Sequence, residues 1–144
     1  MKHKLLSLLI LSFVFTSGFA QTTVTISING VKKGEFNINS DKANNTVTVK
    51  KADCKNIKQL QVQVLGEFTG MAVYKRSLEI TDAKDKVLLS IPEKAPGQFF
   101  ITDAKIKALI KKGTPVKIFL LMEPANERLM VASRHIYMGT LSAK

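Results

Sequence analysis

Apolar and polar residues alternate with a period of two over most of this chain. Between Thr23 and Ile28, Val24, Ile26 and Ile28 share one face while Thr23, Thr25 and Ser27 share the other, the pattern of a half-buried strand. Asn29-Gly30 follows, a strong signal for a tight hairpin. The same alternation predicts strands at Phe36 and Ile38, and at Val47 and Val49 beyond the turn-like run Ser40 to Asn45. It continues through Leu60, Val62 and Val64, where Gln59, Gln61 and Gln63 take the solvated face. Val87, Leu89 and Ile91 predict another strand, and the Pro96-Gly97 turn separates it from one carrying Phe99 and Ile101.

Two segments change phase. Met71 and Val73 are odd-numbered while Leu78 and Ile80 are even, and Leu129 and Val131 are odd while Ile136 and Met138 are even. Keeping both sets in one core requires a bulge or a bend. The run from Val116 is apolar in both phases at Ile118, Phe119, Leu120 and Leu121, which predicts a central strand covered on both faces.

One stretch follows the helical period instead. Ile106, Leu109 and Ile110 form a stripe at i, i+3, i+4; Asp103 precedes them as an N-cap, and Gly113 and Pro115 stop the helix. A short helix over residues 104–112 is therefore expected between two late strands, about 14 Å long, enough to cross the open end of a sandwich. Ile-Thr-Asp-Ala-Lys occurs at 80–84 and again at 101–105. It is too short to be a repeated structural unit, but it offers Asp82 and Asp103 as turn or cap residues.

Many short strands with regular turn signals and one helix predict an all-β, two-layer antiparallel sandwich of immunoglobulin-like architecture. A small β-barrel is the alternative. The paired cysteines and core tryptophan of antibody domains are absent, since the chain has one cysteine and no tryptophan.

Residues 1–20 change the picture of where this sandwich works. Lys2 and Lys4 precede an apolar run from Leu5 to Phe15, and small residues flank Phe19. The run is about half of the roughly 20 residues needed to span a bilayer, so a signal peptide cleaved after Ala20 is expected. Residues 21–144 then form a single exported domain, periplasmic or extracellular, with no membrane span. Cys54 has no partner within the chain, so apolar burial must hold the fold together without a disulfide.

Charge narrows the partners. The chain of 144 residues carries 22 Lys and Arg against 11 Asp and Glu, a net +11. Nucleic-acid surfaces combine clustered Arg and Lys with stacking aromatics or a recognised module, whereas residues 21–144 carry only Arg76, Arg128 and Arg134 and no tryptophan, so a nucleic-acid partner is not expected. Lys105, Lys107, Lys111 and Lys112 on the predicted helix are the possible contact with an anionic surface. Helix physics also explains them. Their stems can cover the core rim, and Lys111 and Lys112 complement the helix dipole.

The residues that could carry chemistry are scattered. His135 is the one histidine beyond the leader and lacks zinc-ligand spacing. Cys54 has Lys50, Lys51, Lys55 and Lys58 near it in sequence, surroundings that would favour a reactive thiolate if the group were exposed. Asp82 and Asp85 belong to no calcium loop, and no nucleophile elbow, phosphate loop or dinucleotide fingerprint occurs. No catalytic, metal or cofactor residue is assigned. The expected function is a non-catalytic interaction, adhesion-like or structural module of the cell envelope or secreted milieu. Its partner would be a protein or an anionic envelope surface, and edge-strand addition is one available mechanism. The alternative is a small-ligand or lipid carrier with a pocket lined by Phe99, Phe119, Met122 and Met138. A small hydrolase built from scattered carboxylates and His135 comes last.

Overall fold

The alternating side chains of Thr23–Ile28 and Leu60–Leu65 sort as their pattern dictates: Val24, Ile26, Leu60 and Val62 lose all contact with solvent, while Thr25 and Gln63 stay half-exposed. The computed structural model describes residues 22–38, 45–66 and 72–144. The expected leader, residues 40–44 of the second turn and Met71 lie outside these ranges. In chain order the elements are β1 (Thr23–Ile28), β2 (Val31–Asn37), β3 (Thr46–Val49), β4 (Leu60–Leu65), β5 (Tyr74–Thr81), β6 (Val87–Pro92), β7 (Gln98–Ile101), α1 (Ala104–Lys112), β8 (Val116–Pro124) and β9 (Arg134–Ala143).

One sheet has the order β2-β1-β4-β7 and the other β3-β9-β8-β5-β6. Their inner faces share one core, in which Ile26, Leu60 and Phe99 of the first sheet meet Leu78, Ile80, Ile118 and Met122 of the second. Each such side chain stabilises the fold by about 1.5–3 kcal/mol through burial. Neither sheet closes on itself, so the architecture is the sandwich rather than the barrel. One pairing departs from the antiparallel expectation, because β3 runs parallel to β9, Val47 opposite Leu141 and Val49 opposite Ala143.

The Asn29-Gly30 turn forms as predicted, both residues having positive φ, 50° and 79°. Asn29 also reaches across to the start of β4. Its Oδ1 accepts the Lys58 and Gln59 N–H groups at 2.8 and 3.0 Å, and its Nδ2 donates to the Asn56 carbonyl at 2.7 Å.

The phase changes resolve differently at the two places. Val73 is exposed and precedes β5, whose even-numbered residues Tyr74, Leu78 and Ile80 supply its core contacts. The irregularity there falls later, between Ile80 and Thr81. In β9, Met138 and Leu141 are both buried, and the register slips opposite Ile118 and Phe119, leaving Met138 as the extra residue. Leu129 and Val131 are half-buried in the loop before β9.

Strand β8 is central, as expected, but it is not covered on both sides by a second layer. Val116, Ile118, Leu120 and Met122 face the core, while Phe119 and Leu121 lie half-buried on the outer face. Side chains from neighbouring strands shield them there. No helix of the described residues is long and apolar enough to cross a membrane.

Candidate functional site

Helix α1 closes the end of the sandwich between β7 and β8. Asp103 starts it, with Oδ1 accepting the N–H groups of Lys105 and Ile106 at 2.8 and 3.0 Å. These bonds satisfy two of the donors that every helix N-terminus leaves without an internal partner. Gly113 ends it in the left-handed conformation, φ 83°, with its N–H on the Ile110 carbonyl and the Thr114 N–H on the Leu109 carbonyl. Ile106 and Ile110 insert into the core, and Leu109 is half-buried against its edge.

The lysines of α1 do not form one surface. Lys105 and Lys112 face a groove of about 540 Å³ between α1 and the start of β6. Lys107 and Lys111 lie on the other flank, over a shallower depression of about 250 Å³ shared with Cys54, Lys55 and Ile57. Helical geometry imposes the division, since residues seven apart and residues four apart each return to one side of a helix.

The larger groove has apolar walls supplied by Val87 and Leu88 of β6 and by Ile106, Ala108 and Leu109 of α1, and Lys86 joins Lys105 and Lys112 around it. Among the described residues no acidic side chain lines it, and none of these three lysines forms an ion pair with a described residue. Three unpaired ammonium groups around an apolar trough make a local positive potential with walls of low dielectric, which strengthens the attraction for an anion.

Lys86 escaped the sequence reasoning because only the fold brings it to the helix. Its position is fixed by Asp82, whose Oδ1 accepts the N–H groups of Lys84 and Lys86 at 2.8 and 3.0 Å. The Asp82 N–H in turn donates to the Lys86 carbonyl at 3.0 Å. The Lys86 hydrogen bond holds the Asp82 carboxyl below its ordinary pKa; desolvation opposes it, and the Lys84 N–H and both lysine charges add to the lowering. A sequence signal for β6 did exist. Pro92 lacks a donor, which suits an edge strand. As such an edge, β6 leaves Val87 and Leu88 exposed by 50% and 37%.

The other singled-out residues lie elsewhere. His135 sits on the outer face of the five-stranded sheet, its Nε2 at 2.8 Å from Glu79 Oε2 and its ring stacked on Phe119 at 4.6 Å between centroids. Tyr137 tilts against the same Phe119, and its hydroxyl bonds that of Thr140 at 2.7 Å. This arrangement orients an imidazole but supplies no nucleophile to it. No cluster of three or more metal-ligating side chains occurs among the described residues.

Cys54 is buried, and its thiol pKa is pushed up by that burial and then by Asp53, against a smaller opposing pull from Lys33. The lysines adjacent in sequence therefore do not activate it. Phe99, Met122 and Met138 are packed in the core, while Phe119 lies on the opposite face of its sheet, so the four residues considered for a carrier pocket line no common space.

Comparison with protein-family models, with curated proteins and with solved structures finds no match to the chain.

Proposed function

We propose that the protein is an exported, non-catalytic interaction module that binds an acidic segment of a partner protein at the helix-capped end of its sandwich. One observation carries this reading: the apolar groove between α1 and β6 is ringed by Lys86, Lys105 and Lys112, and no carboxylate of the described residues lines it. Charge complementarity selects the partner, and a groove open to solvent beside a sheet edge suits a chain segment better than an enclosed small molecule. Export follows from the leader-like residues 1–20.

Panning a displayed library of random ten-residue peptides on the protein tests the reading. Recovered peptides should be rich in Asp and Glu interspersed with apolar residues. Their affinity should fall tenfold or more in the Lys86→Gln/Lys105→Gln/Lys112→Gln variant and stay within twofold in Lys107→Gln/Lys111→Gln. Recovery of basic or uncharged peptides, or equal losses in both variants, rejects it. The export element is checked by N-terminal sequencing of protein produced with its leader, where a mature chain starting at Gln21 is expected.

A further inference from the structure

The wall of the groove formed by β6 is a sheet edge that no described residue pairs with on its outer side, and that decides how a chain segment would be held there. Among the described residues, strand β6 pairs with β5 alone. At one end the Asp82 N–H bonds the Lys86 carbonyl, and at the other the Glu93 N–H bonds the Arg76 carbonyl at 3.1 Å. Main-chain groups of an antiparallel strand point alternately towards and away from the neighbouring strand. Counting inward from each end, Val87 and Ser90 turn their N–H and C=O groups away from β5. The irregularity opposite Ile80 and Thr81 absorbs the odd residue, Leu88, between them. Ser90 is exposed. Pro92 has no N–H to offer and sets the far limit of any added strand.

We infer that a partner segment adds to β6 as a further strand of the five-stranded sheet, hydrogen-bonded to Val87 and Ser90, with apolar side chains against Leu88 and Leu109 and carboxylates at Lys86, Lys105 and Lys112. The inference rests on the reading of this end as the site for an acidic segment. It adds the binding mode and the sequence class, an extended stretch in which apolar and acidic residues both recur on the face turned to α1. Main-chain bonding supplies affinity in such strand addition, and pockets for alternate side chains supply selectivity. Natural sheets usually guard a free edge with charge, proline, a bulge or a covering element. Here Pro92 limits one end and the bulge at Leu88 interrupts the edge, so an added strand bonds it at Val87, where it faces the groove beside α1, and at Ser90.

The test uses 15N-labelled protein and a capped ten-residue peptide with the repeat Val-Val-Glu-Glu, which places Val and Glu in turn on each face of a strand. Amide shifts are expected to concentrate at Val87, Ser90 and α1. Of the two peptide forms N-methylated at alternate residues, one should bind at least tenfold more weakly, because its donors towards β6 are blocked. Ser90→Pro should weaken binding similarly while leaving the β5 pairing intact; the methylated peptides ask the same question without altering the protein. If the lysine triple variant loses binding while both methylated peptides and Ser90→Pro bind as the parents do, strand addition is wrong and the acidic site stands. If the peptide shifts none of these amides, or they move only with phosphatidylglycerol vesicles, both readings fall.

Discussion

Gly139 of β9 lies directly beneath the ring of Phe36, and a Cβ built on it would approach Phe36 Cζ to 2.6 Å and the Asn45 carbonyl oxygen to 2.8 Å. The two sheets meet closely at this corner. Gly34 of β2 is similarly tight, with a Cβ there falling 2.7 Å from Val47 Cγ1. Gly139→Ala should therefore destabilise the protein by about 1–3 kcal/mol, the usual cost of overpacking. The backbone oxygen of Asn45 cannot move aside without disturbing its bond from the Thr140 N–H at 2.8 Å. Urea unfolding checks this, and a midpoint equal to that of the parent would show that the corner yields.

The helix stripe makes a graded prediction. Ile110 is wholly buried and Ile106 nearly so, whereas Leu109 is half-buried and forms part of the groove wall. Ile110→Ala should cost about 2–5 kcal/mol, and Leu109→Ala about half of that or less. Equal losses in thermal or urea unfolding would mean that α1 docks with its stripe rotated from the position described.

The parts of this architecture legible in the sequence are those that depend on near neighbours. Val24, Ile26 and Ile28 declare their face by alternation alone, Asn29-Gly30 declares a hairpin, and Asp103 and Gly113 bracket a helix whose bounds are the expected ones. Both copies of Ile-Thr-Asp-Ala-Lys use their aspartate to accept main-chain N–H groups, one in a turn and one at a helix start. What periodicity could not show is which distant segments become neighbours. The parallel pairing of β3 with β9, the arrival of Lys86 beside Lys105 and Lys112, and the meeting of Glu79, Phe119 and His135 across three strands all follow from topology. Phe119 misled for a related reason. An aromatic side chain shielded by its lateral neighbours on an outer face has the same sequence pattern as one buried under a second layer.

That outer face has measurable energetics of its own. Phe119 and His135 are nearly parallel, their planes 14° apart, and aromatic pairs of this kind contribute about 0.5–1.5 kcal/mol beyond area burial. A double-mutant cycle of Phe119→Ala and His135→Ala should return a coupling in that range. Additive losses would show that the two rings touch without stabilising one another.

Acid should act through Asp82. Its folded-state pKa is lowered, chiefly by the Lys86 N–H, so folding favours the ionised carboxylate. That contribution is fully present above the ordinary Asp value of about 3.9. It is lost as pH falls through the lower folded-state value. Asp82→Ala removes the acceptor at every pH. The melting temperature of the variant should therefore lie below that of the parent at pH 7, and the gap should narrow as the pH is lowered past about 4. Asp82→Asn keeps an oxygen acceptor without the charge and should fall between the two at neutral pH. A gap between parent and Asp82→Ala that stays constant from pH 7 down to about pH 2 would show that the turn at Lys84 and Lys86 holds without the ionised carboxylate, and that Lys86 is placed by the strand pairing alone.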